Sequence, residues 1–467
     1  MERSTTPSKQ KKQAVVLVHG MGEQRPMESI RSFVSNIWKR DPDLKDPHFW
    51  NKPSSVSTSF EQRRITTNTP LNKKSNTPTQ RVDFYEYYWA HQTVGTKWEH
   101  FTGWLAALMF RKPSSYKDHP KSLMRLYYLL WSLVVLGAIV VVAWWNELSF
   151  EYGLFTLFST ALSAIWVFLL GVAKKFFTDY FGDVARYVEA KPINIKIRQE
   201  IRKGGVELIE RIHQTGDYER IVLVGHSLGS IVAYDLLTHL WARANKFKTG
   251  DAEGRLPTTL SKHAKSLLDQ LTQKAKNQEF HEQSQREYWQ LQRDLFNELK
   301  ANDPNNNWLI SDFITVGSPL TYADVLMFRT NQDFVKRKLD RESPTSPPVT
   351  EKGNWYYSDD QGEYLHHGAV FAPVKWTNIY MPHECFYKGD FISGPVGRNF
   401  SYIHFDNDLG VMTAPTDISR TPIEEIELDY KNVKNGFTHT SYWTGSLENT
   451  QQKNENLAAL RKALGLY

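Results

Sequence analysis

The stretch RIVLVGHSLGSIVAYDLL, Arg220 to Leu237, decides how the rest of the chain is read. Ile221 to Val224 are four consecutive apolar, mostly β-branched residues, the signature of a strand buried on both faces. From Ser230 onward, Ile231, Tyr234, Leu237 and Leu240 recur at three- and four-residue steps, which predicts a helix. Between the two stand Gly225, His226, Ser227, Leu228 and Gly229, a G-x-S-x-G pentad. A serine in so tight a strand-to-helix turn takes a strained backbone, and the flanking glycines leave room for the close packing this requires. Its hydroxyl then lies at a helix N-terminus, where the helix dipole favours developing negative charge. The pentad alone is common. The strand before it and the helix after it give it chemical meaning.

Composition narrows the setting. The 467 residues suit one large domain or two to three ordinary ones. Hydrophobic residues at 40% and aromatics at 13% supply a core and argue against disorder. The net charge of +6 is mild for this length, and no long Lys/Arg block or nucleic-acid motif accompanies it, so no nucleic-acid partner is expected. Cys385 is the single cysteine, which rules out an intramolecular disulfide and points to a reducing compartment. The early apolar run, Ala14 to Val18, is too short for a signal peptide.

Two segments bring in a membrane. Leu126 to Asn146 and Tyr152 to Ala173 carry no charge over lengths sufficient to cross a bilayer core, and only ELSFE separates them. They are expected to form a transmembrane hairpin. Arg111, Lys112, Lys117, Lys121 and Arg125 precede it and Lys174 and Lys175 follow it, whereas the turn holds Glu147 and Glu151 and no basic residue. The positive-inside rule then puts both termini and the rest of the chain in the cytosol, and the expected location is the cytoplasmic (inner) membrane. Trp131, Trp144 and Trp145 are candidate interfacial anchors.

Around the hairpin, strand and helix patterns alternate, which predicts a mostly parallel sheet. Gln13 to Gly20 and Arg81 to Ala90 read as strands, with a helix carrying Met27, Ile30, Val34 and Ile37 between them. Asp41 to Gln80, rich in Pro, Ser, Thr, Asn and Lys, reads as a surface excursion. Ile197 to Ile212 predicts a helix ahead of the serine strand. Lys246 to Asn307 is highly polar and reads as an inserted helical pair, a candidate lid rather than core. The segments WLISDFITVGSPL, VKWTNIYM and IEEIELDY supply further strands, and Asn454 to Leu466 a closing helix. The expected organisation is one α/β domain in two parts, residues 1–110 and 176–467, interrupted by the hairpin region 111–175.

Five pieces carry a family resemblance: VVLVHGMGE (Val15 to Glu23), IVLVGHSLGS (Ile221 to Ser230), FITVGSPL (Phe313 to Leu320), WTNIYM with GDFISGPVG (Trp376 to Gly397), and THTSYW (Thr438 to Trp443). On these the chain resembles the α/β-hydrolase superfamily, specifically its lipase-like serine esterases. The hairpin, the Asp41–Gln80 excursion and the Lys246–Asn307 insert lie outside the resemblance. The resemblance implies an α/β-hydrolase fold with Ser227 as nucleophile and a triad in the chain order serine, acid, histidine. Asp390, in the glycine-bearing loop after the Val374–Met381 strand, is the first candidate for the acid. Glu384 is the runner-up and Asp324 a third. Only His404 and His439 follow Asp390, and His439, beyond the last predicted strand, is the preferred base. The implied oxyanion donors are the backbone N–H groups of Leu228 and Met21. His19 is expected to support the loop after the first strand, and His226 to be structural.

His366 and His367 form a doublet without ligands at binding spacing, so no metal site is read, and no cofactor motif is present. The expected activity is therefore ester hydrolysis by a membrane-anchored serine hydrolase acting on lipids. The alternatives are an esterase or thioesterase for soluble acyl substrates, and a non-catalytic scaffold on the same fold.

Overall fold

The computed structural model describes residues 11–20, 25–56, 62–93, 98–116, 119, 121–147, 153–245, 259–277, 280–303, 308–328, 330–360, 362–385, 388–401, 404–406, 411–413, 421–429, 436–443 and 450–466. Its centre is an eight-stranded sheet. In chain order the strands are β1 (Lys12–Val18), β2 (Phe49–Pro53), β3 (Arg63–Thr67), β4 (Val82–Tyr87), β5 (Tyr218–His226), β6 (Ile310–Val316), β7 (Lys375–Tyr380) and β8 (Glu424–Glu427). In space they run β8-β7-β6-β5-β1-β4-β3-β2. The six from β8 to β4 are parallel, and β3 and β2 continue the sheet antiparallel at the β4 edge.

The helices named below are α1 (Glu28–Val34), α2 (Trp98–Met109), α3 (Lys121–Glu147), α4 (Gly153–Val188), α5 (Pro192–Gln214), α6 (Leu228–Ala244), α7 (Lys262–Asn277), α8 (Glu282–Ala301) and α9 (Thr450–Leu464). Side chains alternate across the sheet because successive Cβ atoms of a strand point to opposite faces. Val16, Val18, Ile221 and Leu223 face a layer that includes Ile201 and Ile209 of α5, Val232 and Leu236 of α6, and Leu268 and Leu271 of α7. Val15, Leu17, Val222 and Val224 face Ile30 and Phe33 of α1 and Leu457 and Leu460 of α9. With both faces covered, Ala14–Val18 of β1 and Ile221–Val224 of β5 are wholly apolar runs, as a doubly covered parallel strand requires. The general α/β architecture read from the sequence is met.

β1 is flanked by β4, which precedes the apolar helices, and by β5, which follows them. The Tyr85 and Tyr218 hydroxyls meet at 2.6 Å, and Tyr218 donates to Asp83 at 2.8 Å. The two sides of the chain are thus joined through β1 and by side chains reaching past it.

Two sequence expectations are corrected. The Asp41–Gln80 region is not merely a surface excursion, because it supplies β2 and β3 to the sheet edge and a short antiparallel ladder between Leu44–Lys45 and Leu71–Asn72. The α7–α8 pair is a core layer and does not cover the C-terminal edge of the sheet. Leu268 and Leu271 of α7 and Tyr288 and Leu295 of α8 have no exposure and join the main core. The pair's bonds to the sheet lie at its N-terminal edge: Arg293 pairs with Asp312 at 2.7 Å, and Gln292 donates to the carbonyls of Phe371 and Val374. The high polarity of this segment belongs to its outer faces.

Among the described residues one helix is long and apolar enough to cross a membrane, over Leu123–Val142 within α3. Val134, Val135, Ile139 and Val141 of that helix are about half exposed or more. The described apolar run of α4 is shorter, Thr160–Gly171. The turn between α3 and α4 lies outside the described residues. The helices pack through Trp166, whose indole N–H donates to the Leu133 carbonyl at 2.9 Å and whose ring lies against Gly137. α4 continues well past the apolar stretch, and its Val184, Ala185 and Tyr187 are buried in the domain.

Leu271→Ala is expected to destabilise the protein by about 2–5 kcal/mol, the usual cost of emptying a buried leucine site. A denaturant midpoint shift in detergent checks this; an unshifted midpoint would return the pair to a peripheral lid.

Candidate active site

Ser227 links β5 to α6 with φ 55° and ψ −132°, a positive-φ conformation that a side chain adopts at a cost of about 1–3 kcal/mol. The surroundings explain how it is held. A Cβ on Gly229 would fall 2.3 Å from the carbonyl oxygens of Val18 and His19, and one on Gly225 would fall 2.4 Å from the Ser230 Cα. Both clashes are with backbone, so only glycine lets the first turn of α6 lie this close to the ends of β1 and β5. Ser227 N–H donates to the Val316 carbonyl at 3.0 Å, and the Ser230 hydroxyl donates to the Ser227 carbonyl at 2.6 Å. Leu228 is the first residue of α6, so its N–H is among those a helix leaves without an internal partner. Met21, the other expected oxyanion donor, lies outside the described residues.

The parallel strands bring two more residues to the same edge. Asp390 follows β7 and His439 follows β8, each on a loop after the C-terminal end of its strand. His439 Nε2 lies 2.7 Å from Ser227 Oγ, and its Nδ1 lies 3.0 Å from both carboxylate oxygens of Asp390. A carboxylate accepts only, so Nδ1 carries the hydrogen and Nε2 faces the serine hydroxyl with its lone pair. All three side chains are almost wholly buried. Burial alone pushes the Asp390 carboxyl up, but the facing His439 and the hydrogen bonds from His439 and Tyr442 outweigh it and hold the group below its ordinary value.

The alternatives raised from the sequence lie elsewhere. Glu384 pairs with Lys388 at 2.6 Å on the surface. Asp324 bonds His119 at 3.0 Å and Asn399 at 3.2 Å. His404 is on a separate short strand, His404–Asp406. His366 serves the backbone, accepting from the Gly368 N–H and bonding the Val349 carbonyl, and burial pulls its imidazole down to about 3. Among the described residues no group of three His, Cys, Asp or Glu side chains could hold a metal ion.

Two further histidines frame the site. His19 bonds the Gly20 carbonyl through Nδ1 at 2.7 Å and accepts the Trp89 N–H at Nε2 at 3.1 Å, a pattern that fixes one neutral tautomer. Burial lowers it to about 4. The Trp89 indole N–H donates to the His19 carbonyl, and the two rings stack. His226 bonds the His439 carbonyl at 3.2 Å, stacks on its ring, and meets Trp443 edge-on. Burial, and then the neighbouring His439, lower it to about 3.

Sequence reasoning missed three residues here. Trp89 ties the end of β4 to the loop after β1. Glu86 accepts the Met27 N–H at 2.5 Å at the start of α1, and burial raises its carboxyl to about 7. Tyr442 donates to Asp390 at 2.7 Å. Each acts across more than fifty residues of chain, so no local pattern announced it.

Comparison of the chain with protein-family models, with curated proteins and with solved structures gave no match. The functional reading therefore rests on the geometry.

Gly20 sits against the serine: a Cβ there would come within 2.7 Å of Ser227 Cβ and 3.3 Å of its hydroxyl. Gly20→Ala is expected to slow covalent labelling of Ser227 by a fluorophosphonate at least about tenfold. Labelling at the wild-type rate, read by gel fluorescence, would mean that the serine has more room than these distances allow.

Proposed function

We propose that this chain is a membrane-anchored serine hydrolase of the α/β-hydrolase fold that cleaves carboxylic ester bonds of lipids. The observation that carries the reading is the hydrogen-bonded line Ser227–His439–Asp390, at 2.7 Å and 3.0 Å, along the C-terminal edge of the parallel strands. The chain order serine, acid, histidine and the positive φ of the serine at a strand-to-helix turn both fit that fold.

In this reading His439 Nε2 takes the Ser227 proton as Oγ attacks the ester carbonyl carbon. The oxyanion receives hydrogen bonds from the N–H groups of Leu228 and Met21. His439 then gives its proton to the departing alkoxide, leaving an acyl-serine. A water, deprotonated by the same imidazole, releases the carboxylic acid and restores the serine. Asp390 stays ionised throughout, orienting the ring and stabilising the imidazolium.

A lipid substrate is favoured by where the apolar helices are rooted. Leu105 and Leu108 of α2 and Leu123, Leu126 and Leu130 of α3 pack against Ala185, Tyr322 and Leu326. The Tyr322 hydroxyl donates to the carbonyl of Phe391, the residue after Asp390. The base of the apolar helix thus borders the loop of the acid, and a bilayer around that helix would lie beside the site. In this reading α3 and α4 form a transmembrane hairpin, with the domain and both termini cytosolic.

Ser227→Ala is expected to abolish fluorophosphonate labelling while the protein stays folded; undiminished labelling would move the nucleophile elsewhere. His439→Ala and Asp390→Asn should each lower turnover of a lipid ester by about 10³–10⁴-fold, since the three groups act as a unit. A mild effect of Asp390→Asn beside a crippling one of Glu384→Gln would reassign the acid.

Membrane topology supplies a separate check. Reporters at both termini are expected to read cytosolic, and a tag at Asn146 to be reached only from the opposite side. Replacing the hairpin with a soluble linker should spare short-chain ester hydrolysis more than hydrolysis of bilayer lipid. Equal loss on both substrates would make the hairpin part of the catalytic fold, and a tag protected from both sides would remove the membrane.

A further inference from the structure

We propose that Tyr442 is a positioning residue for the hydrolytic site, its hydroxyl holding Asp390 in line with His439 and limiting how strongly that carboxylate draws on the imidazole. The inference rests on the reading of Ser227, His439 and Asp390 given above.

Tyr442 is almost completely buried, and its hydroxyl has a full set of neighbours. It lies 2.7 Å from Asp390 Oδ2, 2.9 Å from Ser393 Oγ and 3.1 Å from the Met381 N–H. A phenol has one hydrogen to give. The Met381 N–H can only donate to it, and the carboxylate is a stronger acceptor than the Ser393 hydroxyl, so the hydrogen goes to Asp390. Ser393 then donates to the phenol oxygen. The hydroxyl thereby gives one hydrogen bond and receives two, which leaves it no freedom to rotate away.

The carboxylate is fixed at both oxygens. Oδ1 accepts the Ile392 N–H at 3.0 Å, Oδ2 accepts Tyr442, and His439 Nδ1 is 3.0 Å from each. Ile392 is a near neighbour in the chain and steadies the loop itself. Tyr442 comes from the segment that bears His439, three residues further on, so one stretch of chain supplies the imidazole and grips its partner. The ring is held as firmly, since a Cβ on Gly317, after β6, would come within 2.7 Å of it. A hydrogen bond donated to a carboxylate lowers its attraction for any other donor. Removing the hydroxyl therefore strengthens the pull of Asp390 on His439 and loosens the carboxylate's orientation together.

The other titratable groups facing this pair are His226, stacked on His439, His19 beyond it, and His383 and Tyr322 toward Asp390. Burial lowers all three imidazoles and raises the Tyr322 phenol, so it disfavours the charged form of each.

The test is the rate of fluorophosphonate labelling of the full-length protein in detergent, followed against pH for wild type, Tyr442→Phe and Ser227→Ala. Tyr442→Phe removes one oxygen and keeps the packing against Gly317. Its labelling is expected to slow at least about tenfold at neutral pH, with the acid limb of the rate profile displaced to higher pH. A rate within about twofold of wild type, or a limb that stays in place or moves to lower pH, overturns the proposal. A slower rate accompanied only by a lower thermal midpoint has the same meaning, because a purely structural tyrosine would not move the limb. Persistent labelling of Ser227→Ala would instead defeat the underlying assignment of the nucleophile, and so the two failures are told apart.

Discussion

A close approach between two backbones is the governing constraint of the domain. The end of β1 and the first turn of α6 meet with no space for a methyl group between Gly229 and the carbonyls of Val18 and His19. That contact lets the chain turn from strand to helix within one residue, and it is why Ser227 accepts a conformation most side chains avoid. The energy comes from elsewhere: β1 and β5 are buried on both faces, and the packing of α1, α5, α6, α7 and α9 over-determines where they end. The serine's strain is borne by the whole sheet.

Around that turn the polar groups fall into two kinds. His19, His226, Ser230 and Ser393 bond backbone or hydroxyl groups and close the accounts of a buried turn. Ser227, His439 and Asp390 form a directional chain in which each proton position follows from the chemistry of its partner. The first kind makes the second possible, because an unsatisfied buried group beside the histidine would compete for its hydrogen bonds.

Much of this was legible in the sequence, and what was not had a physical cause. The serine turn could be read because strand, glycines and helix are consecutive and each signal is local. Asp390 and His439 could be ranked only by chain order and by the strands ahead of them; their meeting depends on a parallel register no single segment encodes. β2 and β3 were missed because their five-residue runs mix charge with apolar residues, as an exposed sheet edge does. The α7–α8 pair was misjudged because its apolar stripe is narrow and its outer faces carry most of the residues. Trp89 and Glu86 gave no sign, since an aromatic or a glutamate at a strand end reads equally well as surface, and Tyr442 sits in a loop whose partner is 52 positions away.

The pairing of β1 with both β4 and β5 has a consequence for how the protein is made. Tyr85 and Tyr218, joined by a hydrogen bond, are 133 positions apart in the chain, and the apolar helices lie between them. During synthesis β1 and β4 emerge first and present an uncovered strand edge and a half-covered face until β5 arrives. In that interval α3 and α4 emerge as well, so the most apolar part of the chain must find its surroundings before the sheet can close. Sheets closed by distant partners assemble slowly and expose pairing edges while they wait. The serine turn lies on the strand that ends this wait, so it takes its native setting only after both apolar helices have emerged.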